Sequence, residues 1–173
     1  MLSENGLNEL AYRVMNQRTM PSYGWWITQG ATTTWEEWNG NGSRNHPMFG
    51  GGISWFYRYL AGMNPDPLQP GYKHIIFKPY PADSITFAAY SNLTPYGTAA
   101  ISWKKENGTL LTEITVPAGS TATVCLPALS ENDVSESGKI ISNSEFLSFT
   151  GFIGGYACYN VSSGKYNFKS VMK

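Results

Sequence analysis

Charge is scarce in this sequence. Only 14 % of its 173 residues are charged, against an average of roughly 25 %. Lysine plus arginine and aspartate plus glutamate stand at 12 each. With no basic excess to neutralise a phosphate backbone, nucleic acid is not an expected partner. Cysteine and histidine are as sparse, two of each, with no CxxC spacing and no Cys/His cluster. No metal site is expected from them, and nothing points to a cofactor. No apolar run approaches the ~20 residues that cross a bilayer as a helix. Met1–Asn5 shows neither the basic nor the apolar region of a secretory signal. The expectation is a soluble protein with no membrane partner, in a compartment the sequence does not name.

The two cysteines, Cys125 and Cys158, lie 33 residues apart in apolar, strand-like settings. Free buried cysteine behaves as a small hydrophobe, so two buried thiols are the expectation. A disulfide joining two strands is the alternative, because spacing alone does not fix their distance.

What the chain does hold is aromatic side chains (14 %), eighteen glycines and ten prolines, a composition of many turns and short strands. Leu7, Leu10, Ala11, Val14 and Met15 follow helical spacing and predict an amphipathic helix over 4–17. From Tyr23 to Gly42 nothing is periodic. A second helix is predicted over about 48–61, with Ile53, Phe56, Tyr57 and Leu60 on one face. Gly50-Gly51-Gly52 sits near its start, at roughly 1 kcal/mol per residue against alanine; such a run suits a place where something packs close to the backbone.

The period then changes. Asn64 to Gly71 contains three prolines and reads as a linker. Beyond it, alternation predicts strands over 73–78, 84–92, 97–105, 109–116, 120–126, 145–149, 155–161 and 165–171. Asn107-Gly108 between two of them is a strong hairpin signal. The fold class expected is α+β: a short helical segment over 1–70, then an antiparallel β-sandwich over 71–173. Two helices and a long loop do not enclose a core, so the first segment would need a further partner, and a homo-oligomer through its exposed face is one form of that expectation.

Chemistry concentrates in Gly30–Trp38, GATTTWEEW, and in Ser43–His46, SRNH. Two adjacent carboxylates, Glu36 and Glu37, stand between Trp35 and Trp38, with His46 ten residues beyond Glu36. Indole faces cover the apolar side of a pyranose, and a carboxylate beside them can activate water or protonate a leaving group. Consecutive residues of an extended segment point apart, so Glu36 and Glu37 do not form a catalytic pair. His74, on a predicted strand, reads as structural. Tyr156 and Tyr159 fall on opposite faces by alternation, which argues against a continuous aromatic platform there.

These tracts, together with FGGGISWFYRYLAGMNPD, PGYKHIIFKPYP, TPYGTAAISWKKENG and TVPAGSTATVCLP, resemble the C-terminal end of bacterial α-L-rhamnosidases, the family-78 glycoside hydrolases. The resemblance runs from about Leu7 to Phe168 and is least distinctive after residue 128. It implies that 1–70 is the end of an (α/α)6 catalytic barrel and 71–173 a terminal β-sandwich. It also implies inverting hydrolysis of a rhamnose-containing glycan or glycoside. Glu36 is then implied as the general base, His46 as a ligand of sugar hydroxyls, and Trp35 and Trp38 as substrate-binding candidates. The family's general acid lies in earlier barrel loops, so inactivity of these residues alone is expected. A non-catalytic carbohydrate-binding or barrel-stabilising sandwich is the alternative.

Overall fold

The computed structural model describes residues 1–82, 84–141 and 144–172. The chain forms two compact units, Met1–Phe56 and Tyr57–Lys173. The first is mostly loop. Its helices are α1 (Asn8–Met15) and α2 (Tyr23–Thr28), with short 3-10 turns at Ser3–Asn5 and Gly50–Ile53. The helix expected over 4–17 is therefore a turn and a separate α1. Of its apolar stripe, Ala11 is buried, while Leu7, Leu10 and Val14 are 45–50 % exposed. α2 was not foreseen, because six residues are too few to show a period. Its start is nonetheless capped: Ser22 Oγ accepts the Trp25 N–H at 2.9 Å.

The second expected helix is also broken up. Gly50–Ile53 is a 3-10 turn and Phe56–Ala61 a π-helical turn, as the poor helix propensity of three glycines would favour. Gly52 does meet a close neighbour. A Cβ there would stand 2.2 Å from Tyr23 Oη, and this tyrosine donates its hydroxyl to the Phe49 carbonyl. Burial raises the Tyr23 phenol above its ordinary pKa.

The second unit is a sandwich of two sheets. Its strands are β1 (Met63–Pro65), β2 (His74–Phe77), β3 (Phe87–Thr94), β4 (Gly97–Glu106), β5 (Thr109–Val116), β6 (Thr121–Pro127), β7 (Val134–Glu136), β8 (Lys139–Ile140), β9 (Leu147–Ile153), β10 (Tyr156–Val161) and β11 (Gly164–Val171). Among the described residues one sheet has the order β1-β2-β6-β10-β9 and the other β3-β4-β5-β11-β7-β8. All pairings are antiparallel except β2 with β6. Phe77, Val124, Leu126 and Tyr159 of the first sheet and Ile101, Ile114 and Phe168 of the second share one buried core. In β5 and β11 buried residues alternate with more exposed ones, the pattern that a core between two sheets demands, whereas in β6 and β10 the disulfide cysteines on the other face are buried as well.

Three strands went unforeseen, all of two or three residues. One of them, β1, lies in the stretch read as a linker. Proline is tolerated there because β1 is an edge strand, where a missing N–H breaks no ladder. Residues 57–70 are thus part of the sandwich unit, and Trp103, inside it, donates its indole N–H to the Leu60 carbonyl at 2.9 Å.

The expectation of two free thiols is overturned. Cys125 and Cys158 form a disulfide. Antiparallel pairing of β6 with β10 sets the two residues directly opposite each other, and that proximity belongs to the register, which spacing does not reveal. For a loop closed over a separation of 33 residues, chain entropy gives roughly 3–4 kcal/mol of stabilisation. Reduction should lower the urea midpoint of unfolding accordingly; an unchanged midpoint would mean the bond is absent.

One core defect stands out. The Thr112 hydroxyl is buried without a hydrogen-bond partner among the described residues, and an unpaired buried hydroxyl is unfavourable. Thr112→Val keeps the shape and removes the polar atom. It should raise stability by roughly 1 kcal/mol in equilibrium denaturation, and a loss of that size would show that the hydroxyl is satisfied.

Candidate active site

The loop after α2 folds back on itself through its own backbone. The His46 N–H donates to the Thr34 carbonyl at 2.9 Å, and the Glu36 N–H donates to the Ser43 carbonyl at 2.8 Å. Threonine hydroxyls reinforce this pairing: Thr34 Oγ1 donates to the His46 carbonyl at 2.6 Å, and Thr33 Oγ1 to that of Arg44. The outgoing arm, 33–36, and the returning arm, 43–46, therefore run antiparallel. Glu36 and His46 sit on opposite arms of this one loop.

The Glu36 carboxylate is held in place. Its Oε2 accepts the Ser43 N–H at 2.8 Å, while Oε1 has no partner among the described residues. Glycine makes room for it: Gly42 has φ +66°, and a Cβ there would come 2.8 Å from Oε2. Glu37 is exposed and takes no part in this arrangement. His46 is half-buried, and its Nδ1 accepts the Met48 N–H at 3.1 Å. In the neutral ring the proton then lies on Nε2, which can donate to a hydroxyl.

The tryptophans anchor the loop. Trp35 is 5 % exposed; the Arg44 guanidinium lies 4.8 Å from its ring centroid, and Arg44 Nε donates to the Gly40 carbonyl at 3.2 Å. Trp38 is half-buried and stacks on Trp26 with ring centroids 4.3 Å apart. Phe49 packs against Trp38 at 4.3 Å. The Trp26 indole N–H donates to the Trp38 carbonyl at 3.2 Å, and Tyr23 meets both rings edge-on at 5.7 Å. Tyr23, Trp26 and Phe49 escaped sequence reasoning, because aromatic residues far apart in an aperiodic stretch give no sign that they cluster.

The residues match known proteins in two stretches. Residues 1–60 match the family described as the bacterial alpha-L-rhamnosidase 6 hairpin glycosidase domain. Residues 62–141 match the bacterial alpha-L-rhamnosidase C-terminal domain. The chain belongs to the bacterial α-L-rhamnosidases. An alpha-L-rhamnosidase of Formosa agariphila is 38 % identical over 151 residues, 81 % of this chain and 16 % of that protein. One of Streptomyces avermitilis is 28 % identical over 179 residues, 97 % of the chain and again 16 % of the relative. The solved structure of the Streptomyces avermitilis rhamnosidase complexed with L-rhamnose superposes with a TM-score of 0.87 at 29 % identity, over 97 % of this chain and 16 % of that one. The Dictyoglumus thermophilum rhamnosidase gives a TM-score of 0.86 at 36 % identity, over 98 % and 19 %. The chain thus spans less than a fifth of the length of these rhamnosidases. Its helical unit falls within the glycosidase-domain match and most of its sandwich within the C-terminal-domain match.

Loop geometry generates a prediction. Gly40 has φ +82°, and a Cβ would stand 2.7 Å from the Trp35 ring. Gly40→Ala should destabilise the loop by more than about 1 kcal/mol, through both the left-handed backbone and the clash. A red shift and broadening of tryptophan fluorescence would report it, and an unaltered spectrum and midpoint would count against the loop geometry.

Proposed function

We propose that this chain supplies the general-base side of an inverting α-L-rhamnosidase site, with Glu36 as the base. The observation that carries the proposal is the grip on Glu36: one carboxylate oxygen is fixed by the Ser43 N–H and the other is left open to accept a proton. In the inverting reaction a water oxygen bonds to the anomeric carbon as the bond to the leaving oxygen breaks. The base takes the water's proton, and a separate acid protonates the leaving oxygen. The two groups stand roughly 6.5–9.5 Å apart to admit the water. Glu37 does not serve as that acid, being the neighbouring residue and turned to solvent. The acid is proposed to come from barrel residues outside these 173.

His46 is proposed to donate from Nε2 to a sugar hydroxyl, since Nδ1 is occupied by the Met48 N–H. Trp38 retains some exposed surface for a sugar ring, whereas Trp35 is too buried to offer a face and holds the loop instead. The substrate class proposed is a rhamnose-terminated glycan or glycoside. The division of labour is a barrel part within about the first sixty residues and a sandwich beyond them.

Two measurements test this. These residues alone should not hydrolyse an aryl α-L-rhamnopyranoside; turnover that vanishes in Glu36→Gln would mean they assemble a whole site. Within a complete rhamnosidase barrel carrying this loop, Glu36→Gln should lower kcat by roughly 10²–10⁴ with KM little changed. A kcat near the unmodified value would remove Glu36 as base.

A further inference from the structure

The outer face of the five-stranded sheet carries a groove with a volume of about 300 Å3. Its lining residues Thr121, His74 and Asn160 are joined, through Thr123, by a directed hydrogen-bond chain across three strands. Thr123 Oγ1 donates its one proton to Asn160 Oδ1 at 3.1 Å. It must then accept from His74 Nε2, 2.9 Å away. With Nε2 protonated, the neutral ring accepts at Nδ1 from Thr121 Oγ1, at 2.7 Å. Strand register builds this row: His74 faces Thr121, and Asn160 faces Thr123 on one side and Ser148 on the other. The chain fixes the Asn160 amide with its oxygen satisfied inward, and its NH2 has no partner among the described residues.

Around this row stand Gln69, Glu145, Phe146 and Ser148. The Gln69 amide and the Glu145 carboxylate are exposed and unpaired among the described residues. Phe146 is 63 % exposed, yet its backbone is tied down. Its carbonyl accepts the Ser162 N–H at 3.0 Å, and its N–H donates to Ser144 Oγ at 3.3 Å. An apolar ring displayed to water on a fixed backbone loses little freedom when a ligand covers it.

We propose that this groove binds a neutral saccharide. Phe146 is the platform for the apolar face of the sugar ring. Asn160 offers paired donors to vicinal hydroxyls, Gln69 a donor and an acceptor, and Glu145 an acceptor. A carboxylate with no lysine or arginine beside it in the groove among the described residues disfavours an anionic ligand, and the polar lining disfavours an apolar one. The groove's chemistry stands without the rhamnosidase reading; only the choice of rhamnose as a probe rests on it.

The test is a titration of the ¹⁵N-labelled chain with L-rhamnose and, separately, with D-galactose, followed by amide NMR shifts. Binding with a Kd on the order of millimolar should move the Asn160 and Gln69 side-chain amides and the Phe146 and Ser148 backbone signals. Asn160→Ala and Phe146→Ala should each weaken it roughly tenfold, while Phe146→Trp, which keeps a platform, should retain it. Response to either sugar at these signals, lost in the two alanine variants, supports the proposal. No response to both sugars overturns it, as do shifts confined to residues 30–47 or affinities indifferent to both substitutions. Glu36→Gln should leave these shifts unaltered, so failure here is separable from failure of the general-base proposal.

Discussion

A segment with little regular structure must still pair its backbone polar groups, because an unpaired buried amide or carbonyl is as unfavourable as a lost hydrogen bond. The Glu36 loop meets this demand by folding its arms together, Thr34 against His46 and Glu36 against Ser43. Side chains extend the same solution: two threonine hydroxyls and the Arg44 guanidinium take carbonyls that no strand partner reaches. The catalytic candidate is drawn into the scheme, since its carboxylate accepts one of the amides that the turn would otherwise leave open. Scaffold and chemistry share atoms here. The aromatic group of Tyr23, Trp26, Trp38 and Phe49 supplies the burial that regular packing would supply elsewhere.

The sandwich was largely legible in the sequence, for a physical reason. Half-buried strands write their geometry as alternation, and Asn107-Gly108 marks a turn where both residues take positive φ, +48° and +76°. The strand foreseen at 109–116 is β5, and that foreseen at 97–105 is β4 to within one residue. What stayed hidden was non-local. Nothing in the spacing of Cys125 and Cys158 says that they face each other; only the register of β6 with β10 does. β1 has three residues and a proline, and its pairing comes from β2 rather than from any period of its own.

In the first unit the motif was legible and its support was not. Glu36 and His46 stand out because carboxylate, indole and imidazole in a turn-rich stretch suggest sugar chemistry. The partners that orient them are two backbone amides, those of Ser43 and Met48, and the space left by Gly42, none of which carries a chemical signature in a sequence. Trp35 and Trp38 drew attention as sugar platforms, yet their rings are largely engaged with Arg44 and with Trp26 and Phe49. Composition identifies aromatic residues; only packing tells which faces are already covered.

The place of β11 in its sheet bears on how the sandwich is made. β11 is the last strand along the described chain, yet it lies between β5 and β7. As the polypeptide leaves the ribosome, β3, β4 and β5 can form their meander early, since each pairs with its neighbour in sequence. The β7–β8 hairpin has nothing to dock on until residues 164–171 emerge. Assembly of this sheet therefore waits for the end of synthesis of these residues, and a ribosome stalled just before them would hold a half-sheet with an open edge.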